Sequence, residues 1–289
     1  MRNHQNNGIL ILLGISFLCI CTFNLGCSIK NANVRWTPME MSDFEPHLAT
    51  LQARYDLTET LKSTKMMVTI QEADNSPEEL RELLWYRKTA DGGEQLRINV
   101  LGAFNDTKGL AIANKEKFLL TLLDEQKTYI GELNDGILRE IFGVDLRVSD
   151  VLSAIFANPF LDGRHTSLKL EKFGQLIRVT RAGVETDQIE TIILKIQEDE
   201  PRVTEWEIKN KNGILQRALF TDYRDVDGIL RANRVRIIRP PEETRVDVRM
   251  EQVQHHVDIK DNKFDLEPFL SEDFEIITIS KDDDSDEPE

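Results

Sequence analysis

Apolar and polar positions along the chain keep three different rhythms. The apolar run Ile9 to Phe23 carries no charged residue. Phe44, Leu48, Leu51 and Tyr55 recur at helical spacing, and Leu61 is in position to extend the stripe. Ser42, with Glu45 three residues on, fits a capping box, so the pattern predicts an amphipathic helix of about 15 to 20 residues packed on a sheet. From Lys65 the period becomes two. Met67 to Ile70, Leu83 to Lys88, Gln95 to Leu101, Leu110 to Ala113 and Lys117 to Leu123 read as strands. Asn75-Ser76-Pro77, Asp91-Gly92-Gly93, Asn105-Asp106 and Asn114-Lys115 separate them, and connections this short predict antiparallel hairpins.

Helical spacing then returns twice. Ile137, Leu138, Ile141 and Phe142 stop at Gly143; Ser149 caps a second short helix carrying Val151, Leu152, Ile155 and Phe156, ended by Asn158-Pro159. Strands resume with Leu168 to Leu170, Leu176 to Thr180, Ile189 to Gln197, Val203 to Lys209, Ile214 to Tyr223, Arg234 to Ile238 and Val246 to Ile259. Asn210-Lys211-Asn212-Gly213 is the clearest hairpin turn, and Pro240-Pro241 breaks the last two strands apart. The total is about ten to twelve strands against about three helices, a mainly β (α+β) chain. Ile192, Leu194 and Ile196, like Val235 and Ile237, form apolar faces opposite polar ones, as in a curved antiparallel sheet with one buried side.

The two ends behave differently. Arg2 precedes the apolar run, which at about 15 residues is shorter than the ~20 of a spanning helix. Leu25-Gly26-Cys27-Ser28 follows and resembles a bacterial lipobox, with Asn24 where an aliphatic residue is usual. That resemblance implies a signal peptide over 1–26, cleavage before Cys27, and diacylglycerol plus an N-acyl chain on Cys27. An uncleaved anchor helix, or cleavage without lipid, are the other readings, and all three export the domain. Ser28 is not the aspartate that retains enteric lipoproteins at the inner membrane, which implies an outer-membrane anchor facing the periplasm. Residues 27–41 are expected to be a tether, 42–279 the domain, and 280–289 a disordered acidic tail.

Charge and chemistry narrow the choice. A net charge of −15 repels phosphate backbones, so nucleic acid is not an expected partner. Cys19 and Cys21 leave with the leader, so the mature chain has no disulfide framework. His255 and His256 are adjacent in a strand pattern and point to opposite faces, so they do not ligate one metal. Glu198-Asp199-Glu200 and Asp282-Asp283-Asp284 lack calcium-loop spacing and read as solvated charge. Trp85 and Trp206 read as core or cavity lining. No nucleophile elbow, phosphate loop or dinucleotide turn is present. The expectation is a protein without catalysis, metal or soluble cofactor.

Between Arg97 and Ala157 the chain resembles the LolA/LolB family of lipoprotein carriers and receptors. Asn99-Val100-Leu101-Gly102 is similar to the Asn-Pro-Leu-Gly turn of that family. Tyr129 to Ala157 follows its two linked helices, with Phe142-Gly143-Val144, Leu146 and Val151-Leu152 in step. Asp145 and Arg147 replace linker prolines, and Ala157 replaces a final glycine. The resemblance implies a half-open antiparallel β-barrel of about eleven strands, with helices across its mouth and an acyl-binding cavity between. Ile141, Phe142, Leu152, Ile155 and Phe156 are expected to line that cavity. Leu101, with Phe104 as second candidate, is expected to form an apolar loop that meets membrane or partner. Acyl chains or lipoproteins are the implied ligands and a monomer the implied state. The alternative is an interaction lipoprotein with the same fold and a filled cavity.

Overall fold

A computed structural model describes residues 35–73, 75–114, 117–133, 148–165 and 167–279. The elements below belong to one compact unit, Trp36–Glu289; of the unit before it, Met1–Arg35, only Arg35 is described. The leader, Cys27, the first interlude helix with Ile141 and Phe142, and the acidic tail lie outside the described residues.

Fifteen strands form a single, strongly curved sheet that stays open rather than closing into a barrel. Its body is two antiparallel meanders. The first contains β2 (Thr60–Gln71), β3 (Glu78–Lys88), β4 (Glu94–Leu101), β5 (Thr107–Asn114), β6 (Lys117–Leu122) and β7 (Lys127–Glu132). The second contains β8 (Lys169–Phe173), β9 (Leu176–Ala182), β10 (Ile189–Gln197), β11 (Glu200–Asn210), β12 (Gly213–Val226), β13 (Ile229–Arg239) and β14 (Thr244–His255). The last strand of the second pairs antiparallel with the first strand of the first, from Arg245 opposite Gln71 to His255 opposite Leu61. That seam joins residues far apart in sequence and makes one sheet of two halves.

The edges are finished by short strands that alternation alone does not reveal. At one, β1 (Thr37–Pro38) pairs with β8, and the Met39 N–H donates to Leu170 O at 3.0 Å. The fold therefore begins inside the stretch expected to be a tether. At the other edge, β15 (Glu275–Ile279) pairs parallel with β7. With β7, which the sequence reading also passed over, these additions take the count from about eleven to fifteen among the described residues.

Two described helices lie on the inner face. The first, α1 (Met41–Leu57), buries Phe44 and Leu51. It starts after Glu40, which makes no side-chain cap, so the expected Ser42–Glu45 capping box does not mark its start. Nor does the stripe reach Leu61: Thr58 leaves the helical region at φ −84°, ψ 84°, and Leu61 is buried in β2. The second, α2 (Val148–Phe156), ends as its sequence predicts. Ala157 is left-handed at φ 49°; its N–H bonds Ala154 O at 3.3 Å and the Asn158 N–H bonds Ser153 O at 2.9 Å, a Schellman closure without glycine.

The outer face of the first meander is also covered. After β14 the chain leaves the sheet, so the strand expected to reach Ile259 ends at His255. Ile259 and Phe264 instead pack on Trp85, and Leu266, Phe269 and Leu270 on Leu110, Ile112 and Leu119. Burial on both faces explains why Leu110 to Ala113 and Phe118 to Leu120 are continuously apolar rather than alternating.

Candidate functional site

The inner faces of β2, β3, β4 and β11 to β14 curve beneath α2 and enclose a cavity of about 320 Å³. Alternation supplies the wall: Met66 and Val68, Glu82 and Leu84, Val235 and Ile237, and Val246, Val248 and Met250 each face inward at period two. Ile98, Trp206 and Ala218 extend the surface. The helix closes it with Val151, Ala154 and Ile155, a one-turn stripe. Small or β-branched side chains dominate the lining, and this leaves the volume unfilled.

Of the predicted wall residues, Ile155 lines this cavity. Leu152 is half-buried against the core. Phe156 turns to the other side of the helix, edge-on to Tyr55 at 5.2 Å and Tyr86 at 4.8 Å. Both tyrosine hydroxyls donate to Glu94 Oε1, Tyr86 at 2.6 Å. Phe156 thus ties α1, α2 and the β3–β4 hairpin together. Leu101 is the half-buried last residue of β4, opposite Arg81 and Thr107. Phe104, at the tip of the following turn, is 93% exposed.

Glu82 and Arg231, which sequence reasoning did not single out, and His255, which it weighed only as a metal ligand, stand on the inner face. Glu82 projects into the cavity, where burial alone raises its carboxyl to about 7. In the sheet it sits opposite Met66, which in turn sits opposite Met250. Arg231 and His255 lie just beyond Met250, 4% and 5% exposed. The signal for Glu82 and Arg231 was available: in Leu80-x-Glu82-x-Leu84 and Ile229-x-Arg231-x-Asn233-x-Val235 a charge occupies the apolar phase of the strand.

The loop after α2 is anchored by a buried ionic network. Arg181 donates to Glu190 Oε2 at 2.7 Å, to both carboxylate oxygens of Asp162 at 3.0 and 2.8 Å, and to the carbonyls of Pro159 and Arg164 at 2.8 and 2.9 Å. The Trp206 indole N–H also donates to Glu190 Oε2, and Arg164 bridges Glu190 and Asp162. Burial pushes the Asp162 carboxyl up, but the Arg164 N–H and the two guanidinium groups outweigh it, and its pKa lies below the ordinary value. Among the described residues no helix is long and apolar enough to cross a membrane.

No family model and no curated protein matches the sequence. Solved structures do match in shape. A DUF1329 family protein from Desulfovibrio piger superposes with a TM-score of 0.61 at 12% identity, over 78% of this chain and 98% of that one. A domain described as an outer membrane lipoprotein-sorting protein, from Vibrio parahaemolyticus, gives 0.56 at 11% identity over 78% and 98%. A LolA superfamily protein from Nitrosomonas europaea gives 0.53 at 11% identity over 77% and 98%. The chain has a LolA/LolB-like fold.

Proposed function

We propose that this chain is a non-catalytic carrier that takes an acyl chain into the cavity beneath α2, and works in the cell envelope from an acylated Cys27. The observation that carries the reading is the cavity itself: about 320 Å³, apolar, with Ala154, Ala218 and five valines where larger residues would fill it. Its size falls in the range of small-molecule sites, roughly 300 to 1,000 Å³. Cavities in cores cost roughly 24 cal/mol per Å³, so this volume left empty and dry would forgo about 8 kcal/mol. That is comparable to a whole domain's stability, and a sequence with no ligand to hold has easy routes to closing it. A methylene group is close to water's ~30 Å³, so the space suits roughly ten methylenes of one chain. The lipoprotein-sorting description of the Vibrio domain is in keeping with an acylated cargo.

Exchange with a membrane follows from Phe104. A fully exposed phenyl ring at a turn forgoes about 1.5 to 3 kcal/mol of burial. In the carrier it inserts into the bilayer surface, with Leu101 at its base, while the chain passes. The test uses dodecanol as an uncharged probe and anionic vesicles. Ala154→Phe should remove most dodecanol binding while the protein keeps its melting temperature; Phe104→Ser should leave binding intact and slow transfer to vesicles. Full dodecanol binding with Ala154→Phe in place would rule out the cavity as the site.

A further inference from the structure

Arg231 lies on β13 beneath α1 and the end of α2. Its Nη2 donates to Ile155 O at 3.4 Å and lies 3.0 Å from Met250 Sδ. Its Nε and Nη1 have no partner. His255, on β14, also has both ring nitrogens buried without a partner. The two share a small pocket of about 20 Å³ with Tyr55, Ile155 and Tyr223. Ile155 and Met250 also line the large cavity, so they form the partition between the two spaces.

Other charges nearby are committed elsewhere. Arg54 is paired with Glu200, and the Tyr223 hydroxyl donates to Val203 O at 2.6 Å. Asp227 is exposed, and its Oδ2 accepts the backbone N–H of His255 at 2.9 Å. His256 is exposed on the far side of the strand. Among the described residues no carboxylate pairs with Arg231. A carbonyl at the end of α2 and a thioether leave the guanidinium's charge largely uncompensated, and water cannot supply the missing charge. A buried cation with free N–H groups beside an imidazole is a receptor for an anion.

We propose that Arg231 and His255 form a buried anion subsite that holds the carboxylate of a fatty acid whose chain occupies the large cavity. This rests on the carrier reading and names the class of its ligand. Size selects the head group: one water needs about 10 to 15 Å³ of such space, so the pocket admits roughly two water-sized oxygens, a carboxylate rather than a phosphodiester. Met250 is the flexible element that lets head and chain connect across the partition. Asp227, exposed and on the backbone side of His255, does not compete for the pocket.

The experiment compares laurate, dodecanol and acetate by calorimetry at pH 7.5 on the native protein. Laurate should bind at least tenfold more tightly than dodecanol, and acetate at least a hundredfold more weakly than laurate. In Arg231→Met the laurate preference should vanish while dodecanol binding persists. Equal laurate and dodecanol affinities in the native protein would overturn the subsite and leave the cavity standing; no binding of either would overturn both. Acetate binding as tightly as laurate would overturn the link to the cavity. If the variant does not fold, ¹³C-carboxyl laurate on the native protein decides. Beside Arg231 the bound carboxyl should stay ionised below the pH at which free laurate protonates, whereas burial without a cation shifts it upward.

Discussion

Arg181 and Arg231 are both buried arginines on the same sheet, and they are treated in opposite ways. Arg181 is surrounded: Glu190, Asp162 and two backbone carbonyls accept its N–H groups, and the tryptophan that also lines the cavity braces the glutamate. Arg231 has one long bond to a carbonyl, a sulfur contact, and two donors aimed at nothing. Burying a guanidinium costs several kcal/mol, and only the first site offsets that cost from within the chain. The contrast separates polar burial that completes the fold from polar burial that leaves a place open.

The largest expected effect breaks the closed site. Arg181→Met leaves Glu190 buried and Asp162 half-buried with only the more exposed Arg164 to pair them. Removing one partner of a buried pair typically costs about 3 to 5 kcal/mol. Urea denaturation should show a loss of that size, with the loop after α2 freed in hydrogen exchange. A loss under about 1 kcal/mol would mean that the network is not what anchors the loop.

Much of this arrangement was readable in the chain, and the reason it was not all readable is physical. Alternation in Ile192–Ile196 and Val235–Ile237 assigns inner faces correctly, because each strand reports its own period. The end of α2 was legible because Asn158-Pro159 cannot continue a helix. The seam between β14 and β2 was not, since pairing across such a separation leaves no local mark. The cavity was invisible for a related reason: its volume is a sum over side chains from seven strands and a helix, and no single residue announces it. Phe156, which spacing placed on the cavity wall, packs on two tyrosines, because a helix turn offers neighbouring directions that spacing does not distinguish.

Glu82 sharpens the comparison from the anionic side. Burial holds its carboxyl up at about 7, against 4.5 in the open chain. The folded state therefore keeps a proton that the unfolded state has lost between those values. Stability contributed by that proton is present below pH 4.5 and is lost as pH rises toward and through 7. The difference corresponds to about 3 kcal/mol. Unfolding free energies at pH 5 and pH 8 should differ by about that much more in the native protein than in Glu82→Gln. Dodecanol affinity should fall over the same interval, because an ionised Glu82 retains water in the cavity. A pH profile identical in protein and variant would show that Glu82 is solvated rather than buried in the cavity.

The smallest expected change in stability belongs to the open site. Arg231→Met removes a charge that nothing neutralises, together with one bond at 3.4 Å and a sulfur contact. Burial already pulls the guanidinium down to about 10 and, together with the Arg231 charge, pulls His255 down to about 4, so both groups sit in surroundings that disfavour positive charge. Replacing the cation by an apolar side chain of similar length relieves that penalty. The ligand-free variant should lie within about 1 kcal/mol of the native protein, or above it. Laurate then separates the two. At a hundred times its dissociation constant a ligand adds about 2.7 kcal/mol to the native state. The native protein should gain that increment, and the variant, at the same laurate concentration, only the smaller gain that dodecanol gives. A ligand-free loss of several kcal/mol would instead place Arg231 beside Arg181, as a residue the fold needs for itself.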